Sequence, residues 1–329
     1  MQRSIDIFLK KHHTPGRPLL LGLSGGHDSR VLWELLVARK HPLIPRPLIV
    51  AHVDHGWRAE SRREALELKE MVEGQGYPFF LHTLQKPGGG GNLEERCREE
   101  RYAFFQHLYH EHNCEALLLG HQADDQAETV LKRLFEGAHF TSLSAMRPIS
   151  AWGGMNVWRP LLECTREEIL AFLEERQITA LDDRSNYNPA FLRARMRTHL
   201  LPDLERAFGK NFRGNLVELA KSFREIEAYF LAKSLALARR EVHADGVSLS
   251  VSLSVSSSVS LDFSSLDSPS PLEVEVVIKR FLQEEGIALG SRHLRSLVRQ
   301  LISGAKDKKL QIQKRQLVID RGQLFVKNP

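Results

Sequence analysis

An α/β fold is predicted, a parallel sheet with helices on both faces followed by a smaller, mainly helical C-terminal domain. Three observations predict it. Short apolar runs alternate with helical stretches through the first two hundred residues, the runs are continuous as strands buried on both faces require, and the texture changes after about Arg213. A chain of 329 residues has room for two domains of roughly 150 residues each, here 1–213 and 214–329.

Taken in order, Leu19-Leu20-Leu21-Gly22-Leu23 reads as a buried strand and Ser29 to Lys40 as the helix after it. Leu48 to Val53 is the second strand, with a charged helix from about Glu60 to Glu73. Phe79 to Leu84 is the third strand, and the glycine run Gly88 to Gly91 makes a loop before the strongly helical Leu93 to Glu111. Ala116 to Leu119 is the fourth strand and Ala123 to Phe135 its helix. In the second domain Leu216 to Arg240 reads as one long helix, apolar at Leu216, Leu219, Phe223, Ile226 and Phe230. Val247 to Val259 alternates serine with aliphatic residues, the pattern of half-buried hairpin strands or of a low-complexity linker, and the alternation favours strands. Leu272 to Glu285 is helical and leads into a basic tail holding Arg292, Arg295, Arg299, Lys306, Lys308, Lys309, Lys314 and Arg315.

Composition narrows the class. Hydrophobic residues at 42% and charged residues at 26% suit a folded globular chain and exclude a disordered one. No apolar run approaches the roughly 18 residues of a membrane helix, so no membrane partner is expected. Met1 to Pro18 carries Lys10, Lys11 and Arg17 without an apolar h-region, which argues for a cytoplasmic protein. Cys97, Cys114 and Cys164 include no C-x-x-C pair, which points to a reducing compartment and away from an iron–sulfur or Cys-rich zinc site. Lys and Arg number 46 against 41 Asp and Glu, a net charge of +5 that permits a nucleic-acid partner without requiring one.

The sharpest chemical signal is Ser24-Gly25-Gly26-His27-Asp28-Ser29, between an apolar strand and a helix. Adjacent glycines let backbone N–H groups approach an anion, the helix N-terminus adds positive potential, and Ser24 and Ser29 add hydroxyl donors. This is a phosphate cradle without the G-x-x-x-x-G-K-[ST] pattern. Further motifs follow the strands. His52-Val53-Asp54-His55-Gly56-Trp57-Arg58 comes after the second, Asn92 to Tyr102 opens the long helix with Arg98 and Arg101, and Gly120-His121-Gln122-Ala123-Asp124-Asp125-Gln126-Ala127-Glu128-Thr129 comes after the fourth. Arg159-Pro160-Leu161-Leu162, then Asp183-Arg184-Ser185-Asn186 and Arg193-Ala194-Arg195-Met196-Arg197, complete the set.

The cradle resembles the PP-loop of ATP pyrophosphatases, and the order and spacing of all the motifs, over Leu19 to Pro202, resemble the bacterial tRNA(Ile)-lysidine synthase family. His27 fills a variable slot, and Ala194 stands where members often carry Asn. The resemblance implies an adenine nucleotide alpha hydrolase-like fold and a ligase acting on tRNA(Ile) with a CAU anticodon, L-lysine and ATP with Mg²⁺. Ser24, Gly25, Gly26, His27, Asp28, Ser29, His52 and His121 would then bind ATP, with Asp28 at the Mg²⁺. Asp28, Asp54, Asp125 and Glu128 would be catalytic. Lysine brings two ammonium groups and a carboxylate, so Asp125 and Glu128, at i and i+3 of one helix face, suit the former, and Arg98 or Arg101 the latter. Arg193, Arg195 and Arg197, beside Arg184, Lys210 and Arg213, would contact the RNA backbone, and the second domain would bind the tRNA body.

Other readings compete. His52, Asp54, His55, His121, Asp124 and Asp125 could be ligands of a metal phosphohydrolase, in which the cradle would have no role. His107, His110, His112 and Cys114 could hold zinc or form a solvated helix end, and the latter is favoured. A PP-loop tRNA thiolase would need paired cysteines, and a non-catalytic nucleotide- or RNA-binding module should lack the acidic residues that this chain keeps. The sequence leaves the oligomeric state open, a homodimer included.

Overall fold

The computed structural model describes residues 1–37, 48–56, 60–84, 93–138, 140–181, 192–209, 211–235, 239–243, 258–263, 270–287, 289–312 and 315–327. Contacts divide the chain into one unit of Met1–Phe135 with Ala145–Ala220 and a second of Glu136–Ser144 with Lys221–Pro329.

The first unit is built on β1 (Leu19–Gly22), β2 (Leu48–Asp54), β3 (Phe79–Thr83), β4 (Ala116–Leu119), β5 (Ile149–Trp152) and β6 (Met155–Trp158), in the order β3-β2-β1-β4-β6-β5. The first four strands and β6 run parallel, and β5 returns antiparallel at the edge. Continuous apolar strands feed two cores. Leu19, Leu21, Leu48 and Val50 face a cluster containing Ile5, Leu9, Trp33, Leu36 and Ile169, whereas Leu20, Ile49 and Ala51 face one containing Phe105, Leu108 and Val157.

Helices α1 (Gln2–His12), α2 (His27–Val37), α3 (Ser61–Gly74), α4 (Leu93–Glu111), α5 (Ala123–Phe135) and α7 (Arg166–Glu175) belong to this unit, and the short α6 (Phe140–Leu143) to the other. Near the end of the first unit α8 (Leu192–Arg195), a π-helical turn (Met196–Leu200) and α9 (Leu201–Phe208) run on without a break, before α10 (Phe212–Leu235). Helix α1, anchored by buried Ile5 and Leu9, is an element that the sequence pattern does not announce. The central position of β1, with β2 on one side and β4 on the other, creates a crevice outside the carboxyl ends of β1 and β4, where open α/β sheets bind ligands.

The second unit joins α11 (Pro271–Glu284) and α12 (Ser291–Ile302) to an antiparallel sheet in the order β7-β8-β11-β10-β9, comprising β7 (Arg239–His243), β8 (Ser258–Asp262), β9 (Lys308–Ile312), β10 (Arg315–Asp320) and β11 (Gln323–Lys327). Its core gathers Leu261, Ile278, Phe281, Leu297, Leu317 and Leu324. The expected helix to Arg240 is described to Leu235, and Arg239 and Arg240 instead open β7. The basic tail forms helix α12 over Arg292, Arg295 and Arg299 and then strands from Lys308 onward, where Leu317, Ile319, Leu324 and Val326 alternate inward between charges. Most of Val247 to Val259, the run Gly88 to Gly91, and residues 38–40 of the expected second helix lie outside the described residues. Among the described residues no helix is long and apolar enough to cross a membrane.

Candidate active site

The cradle takes its shape from two glycines and two hydroxyls. Gly25 has φ +86°, and a Cβ there would lie 2.5 Å from Leu181 Cδ1 and 2.9 Å from Leu68 Cδ1, so both conformation and space require glycine. Ser29 Oγ accepts from the Ser24 N–H at 3.1 Å, donates to the Gly26 carbonyl at 3.1 Å and lies 2.9 Å from Ser24 Oγ. The hydroxyls expected to serve phosphate therefore also brace the loop. Gly26 leads directly into α2, whose first N–H groups have no partner within the helix. Gly120, at the end of β4, completes the floor. A Cβ on it would stand 2.8 Å from Ser29 N and 3.0 Å from the Asp28 carbonyl carbon.

Asp28 lies in the first turn of α2 and is pushed up to about 7, by burial first and then by Asp125, against the pull of Arg166 and Arg197. Its Oδ1 is buried without a hydrogen-bond partner. One carboxylate in the first turn of α2, with a buried oxygen that no protein group pairs, fits Mg²⁺ that arrives with a nucleotide, because that ion is usually shared between one or two carboxylates and substrate phosphates. Among the described residues no group of three His, Cys, Asp or Glu side chains is placed to hold a metal.

The strand ends supply two histidines. His52 is buried, its Nδ1–H donates to the Leu23 carbonyl at 2.7 Å, and burial holds its pKa below the ordinary value. His121 is pushed down to about 4, by burial first, with Arg159, Arg193 and Arg101 adding to the effect and Asp125 opposing it. Both rings are therefore neutral at pH 7. His121 Nδ1 is buried without a hydrogen-bond partner. Asp54 is buried, and its Oδ1 accepts the Gly56 N–H at 2.8 Å, which shapes the turn after β2. Trp57 and Arg58 lie outside the described residues.

The N-terminus of α5 brings the acids together. Asp125 Oδ2 accepts the Gln122 N–H at 3.0 Å and Gln122 Oε1 accepts the Asp124 N–H at 2.7 Å, a reciprocal cap that fixes the first turn. Asp125 Oδ1 faces an Arg197 nitrogen at 3.1 Å, and Glu128 Oε1 accepts from Arg197 Nε at 2.7 Å. Burial raises the pKa of Glu128, Arg197 opposes this and Asp125 adds to it. Burial also depresses Arg197, but Glu128 and Asp125 outweigh it and hold the guanidinium above its ordinary value. Arg197, expected at the RNA backbone, thus turns onto the acidic pair. Arg213 likewise reaches Glu205 at 2.7 Å and Asp124 at 3.8 Å.

A cationic wall completes the site. Arg98 lies over the Tyr102 ring with its Cζ 4.6 Å from the centroid, and Arg101 at 5.8 Å. Burial depresses Arg101, and the nearby charges of Arg98 and Arg193 depress it further. Arg159 is buried, donates to the Arg147 carbonyl and to Ser150 Oγ, and is depressed by burial and by Arg98. Arg195 is exposed, whereas Arg184, Asp183, Ser185, Asn186 and Lys210 lie outside the described residues. Sequence reasoning assigns no role to Arg159, Arg166 or Gly120. The signal is present for Gly120, since a glycine directly after a buried strand marks close backbone approach.

A family model described as a PP-loop domain matches residues 1–204. The chain is 35% identical over 321 residues to a tRNA(Ile)-lysidine synthase of Protochlamydia amoebophila, covering 97% of this chain and 67% of that one. It is 34% identical over 330 residues to a tRNA(Ile)-lysidine synthase of Chlamydia pneumoniae, covering 98% and 96%. A U34-tRNA thiolase from Methanococcus maripaludis matches in structure with a TM-score of 0.57 at 19% identity, over 68% of this chain and 77% of that one, a likeness of fold alone.

Proposed function

The chain belongs to the tRNA(Ile)-lysidine synthase family of PP-loop proteins, carbon–nitrogen ligases that use ATP, and from that membership we propose how its residues divide the reaction. The substrates are ATP, L-lysine and tRNA(Ile) with a CAU anticodon, and the product is lysidine at the wobble cytidine. The cytosine C2 carbonyl is a poor electrophile whose oxygen cannot leave. Its O2 attacks the α-phosphate of ATP, a P–O bond forms and pyrophosphate departs. The lysine ε-amine then attacks C2, loses a proton, and AMP leaves with the former carbonyl oxygen. A loop base costs little to unstack, so the reacting atoms can reach a recessed site.

The cradle from Ser24 to Ser29 positions the ATP phosphates, with His52 and His121 as neutral neighbours that can donate or accept a hydrogen bond without adding charge. Asp28 would hold Mg²⁺ arriving with the nucleotide, and the ion would supply charge neutralisation at the phosphates. Asp125 and Glu128 receive the lysine ammonium group and accept its proton as attack begins, since a free amine of pKa near 10.4 is almost fully protonated at pH 7. Arg98 and Arg101 receive the lysine carboxylate. Asp54 is kept with the catalytic acids, and its Oδ1 also shapes the turn after β2 by accepting the Gly56 N–H. Arg193 and Arg195 contact the RNA backbone. The second unit binds the tRNA body through Arg292, Arg295 and Arg299 on the exposed face of α12, with Lys308 and Lys309 on β9. The setting is the cytoplasm, where three free, buried cysteines are at no risk of oxidation.

The observation that carries this reading is the clustering of Asp28, Asp125 and Glu128 beside a cationic wall at one crevice. The test is release of AMP and pyrophosphate from ATP with unmodified tRNA(Ile) CAU transcript. AMP release that depends on lysine is expected. AMP release independent of lysine, or dependent on a sulfur donor, contradicts it, whereas one equivalent of pyrophosphate accompanies adenylation with or without lysine.

A further inference from the structure

Arg197 occupies the oxygens that a substrate cation needs. Its Nε and a terminal nitrogen engage Glu128 Oε1 at 2.7 Å and Asp125 Oδ1 at 3.1 Å. The Glu128 side chain is 1% exposed and that of Arg197 is 28% exposed, so the acid is fixed inside and the base reaches it from the open side. Asp125 Oδ2 is already committed to the Gln122 N–H, which leaves Oδ1 as its binding oxygen. Glu128 Oε2 is buried without a partner. Arg197 and lysine are chemically alike here, each an aliphatic stem ending in an N–H-donating cation.

We propose that Arg197 is a resident cation in the lysine subsite, and that the substrate ammonium group binds by displacing it from Asp125 and Glu128. The proposal rests on the assignment of those two acids to lysine. The charge argument supports an exchange. Two buried carboxylates next to Asp28 and Asp124 are costly without a counter-ion, and a resident guanidinium supplies one until lysine arrives. Replacing one cation by another leaves the charge of the subsite unchanged. The local backbone allows the movement, because Arg197 sits in a π-helical turn, Met196–Leu200, where the Leu201 N–H bonds to the Met196 carbonyl. Such turns are less tightly closed than α-helix and recur at functional sites.

The experiment is calorimetric titration of the full chain with L-lysine, without ATP or RNA, for the wild type, Arg197→Ala and Glu128→Gln. Arg197→Ala is expected to bind lysine roughly two- to fivefold more tightly than the wild type, the scale of one partly exposed ion pair. Added ethylguanidinium should refill the gap and return the affinity toward the wild-type value. Glu128→Gln should bind lysine more weakly. If Arg197→Ala binds lysine no tighter while Glu128→Gln weakens it, the displacement is overturned and the subsite stands. If Glu128→Gln and Asp125→Asn both leave lysine binding unchanged, the subsite assignment fails and the displacement with it. Arg197→Met, with an uncharged stem, replaces Arg197→Ala if thermal unfolding shows the latter misfolded, and the same direction is expected of it.

Discussion

Gly120 and Ser29 approach so closely that a Cβ on Gly120 would lie 2.8 Å from the Ser29 amide nitrogen and 2.9 Å from its Cα. The end of β4 and the start of α2 can meet at this distance only through glycine, and the phosphate cradle lies at that meeting point. Gly120→Ala should therefore force backbone apart, at a cost of about 1–3 kcal/mol, the usual penalty for overpacking. The KM for ATP should rise far more than the apparent affinity for tRNA changes. Gly74→Ala is the control. A Cβ there meets nothing within 4 Å and the residue ends helix α3, so thermal stability should be unchanged or slightly higher. Equal ATP kinetics in Gly120→Ala and the wild type would refute the packing argument.

Asp28 gives a pH dependence with a definite sign. Its carboxyl is raised in the folded chain to about 7 from an ordinary value of 3.8, so the folded state favours the protonated form. That contribution to stability is complete below about pH 4 and is lost as pH rises through 7, a difference of up to about 4 kcal/mol. Asp28→Asn should melt higher than the wild type at pH 8 without nucleotide, and the gap should close at pH 4. The same variant should fail to adenylate tRNA. A melting difference independent of pH would show that Asp28 is not held in its protonated form.

The sheet, its central strands and the cradle were legible because continuous apolar runs such as Leu19 to Leu21 and Leu48 to Val53 leave few alternatives, and because Ser24 to Ser29 sits where a strand meets a helix. Other features carry a sequence signal that went unread, and α7, β5 and β6 were not anticipated. Thr165 and Glu168 form the capping box of α7, and Gly153-Gly154 turns β5 into β6 with both glycines at positive φ. Leu317, Ile319, Leu324 and Val326 alternate, but their charged neighbours made the segment read as a basic tail. The partner of Arg197 was beyond sequence reasoning. Arg193, Arg195 and Arg197 recur every second residue, which on a helix points them in different directions, and the π-helical turn changes those directions again.

The second unit should read the tRNA electrostatically. Arg292, Arg295 and Arg299 lie exposed on α12, opposite buried Leu294, Leu297, Val298 and Leu301. Replacing all three by Gln should weaken tRNA binding and reduce the slope of log affinity against log salt by roughly 2–3, close to one per lost phosphate contact. ATP affinity should not change. Filter binding across a salt series checks this, and an unchanged slope would move the RNA surface elsewhere.

Glu128→Gln should separate the two halves of the reaction. The variant keeps a hydrogen-bonding group near Arg197 but cannot accept the proton of an attacking ammonium. Adenylated tRNA, trapped in a single turnover without lysine, should form at near the wild-type rate. The lysine chase should be slowed roughly 10²-fold or more, the scale of a lost general base. Slow adenylation followed by a normal chase would assign Glu128 to the first step.

The central claim is that this chain joins lysine to a cytidine, and the product tests it most directly. Unmodified tRNA(Ile) CAU transcript, ATP, Mg²⁺ and isotopically labelled L-lysine are incubated with the full chain, and the RNA is digested to nucleosides for mass spectrometry. The account predicts one new labelled nucleoside, with the mass of cytidine plus lysine less one water, at the wobble position only. Consumption of ATP with no label in the RNA, or a sulfur-containing nucleoside in its place, would contradict it.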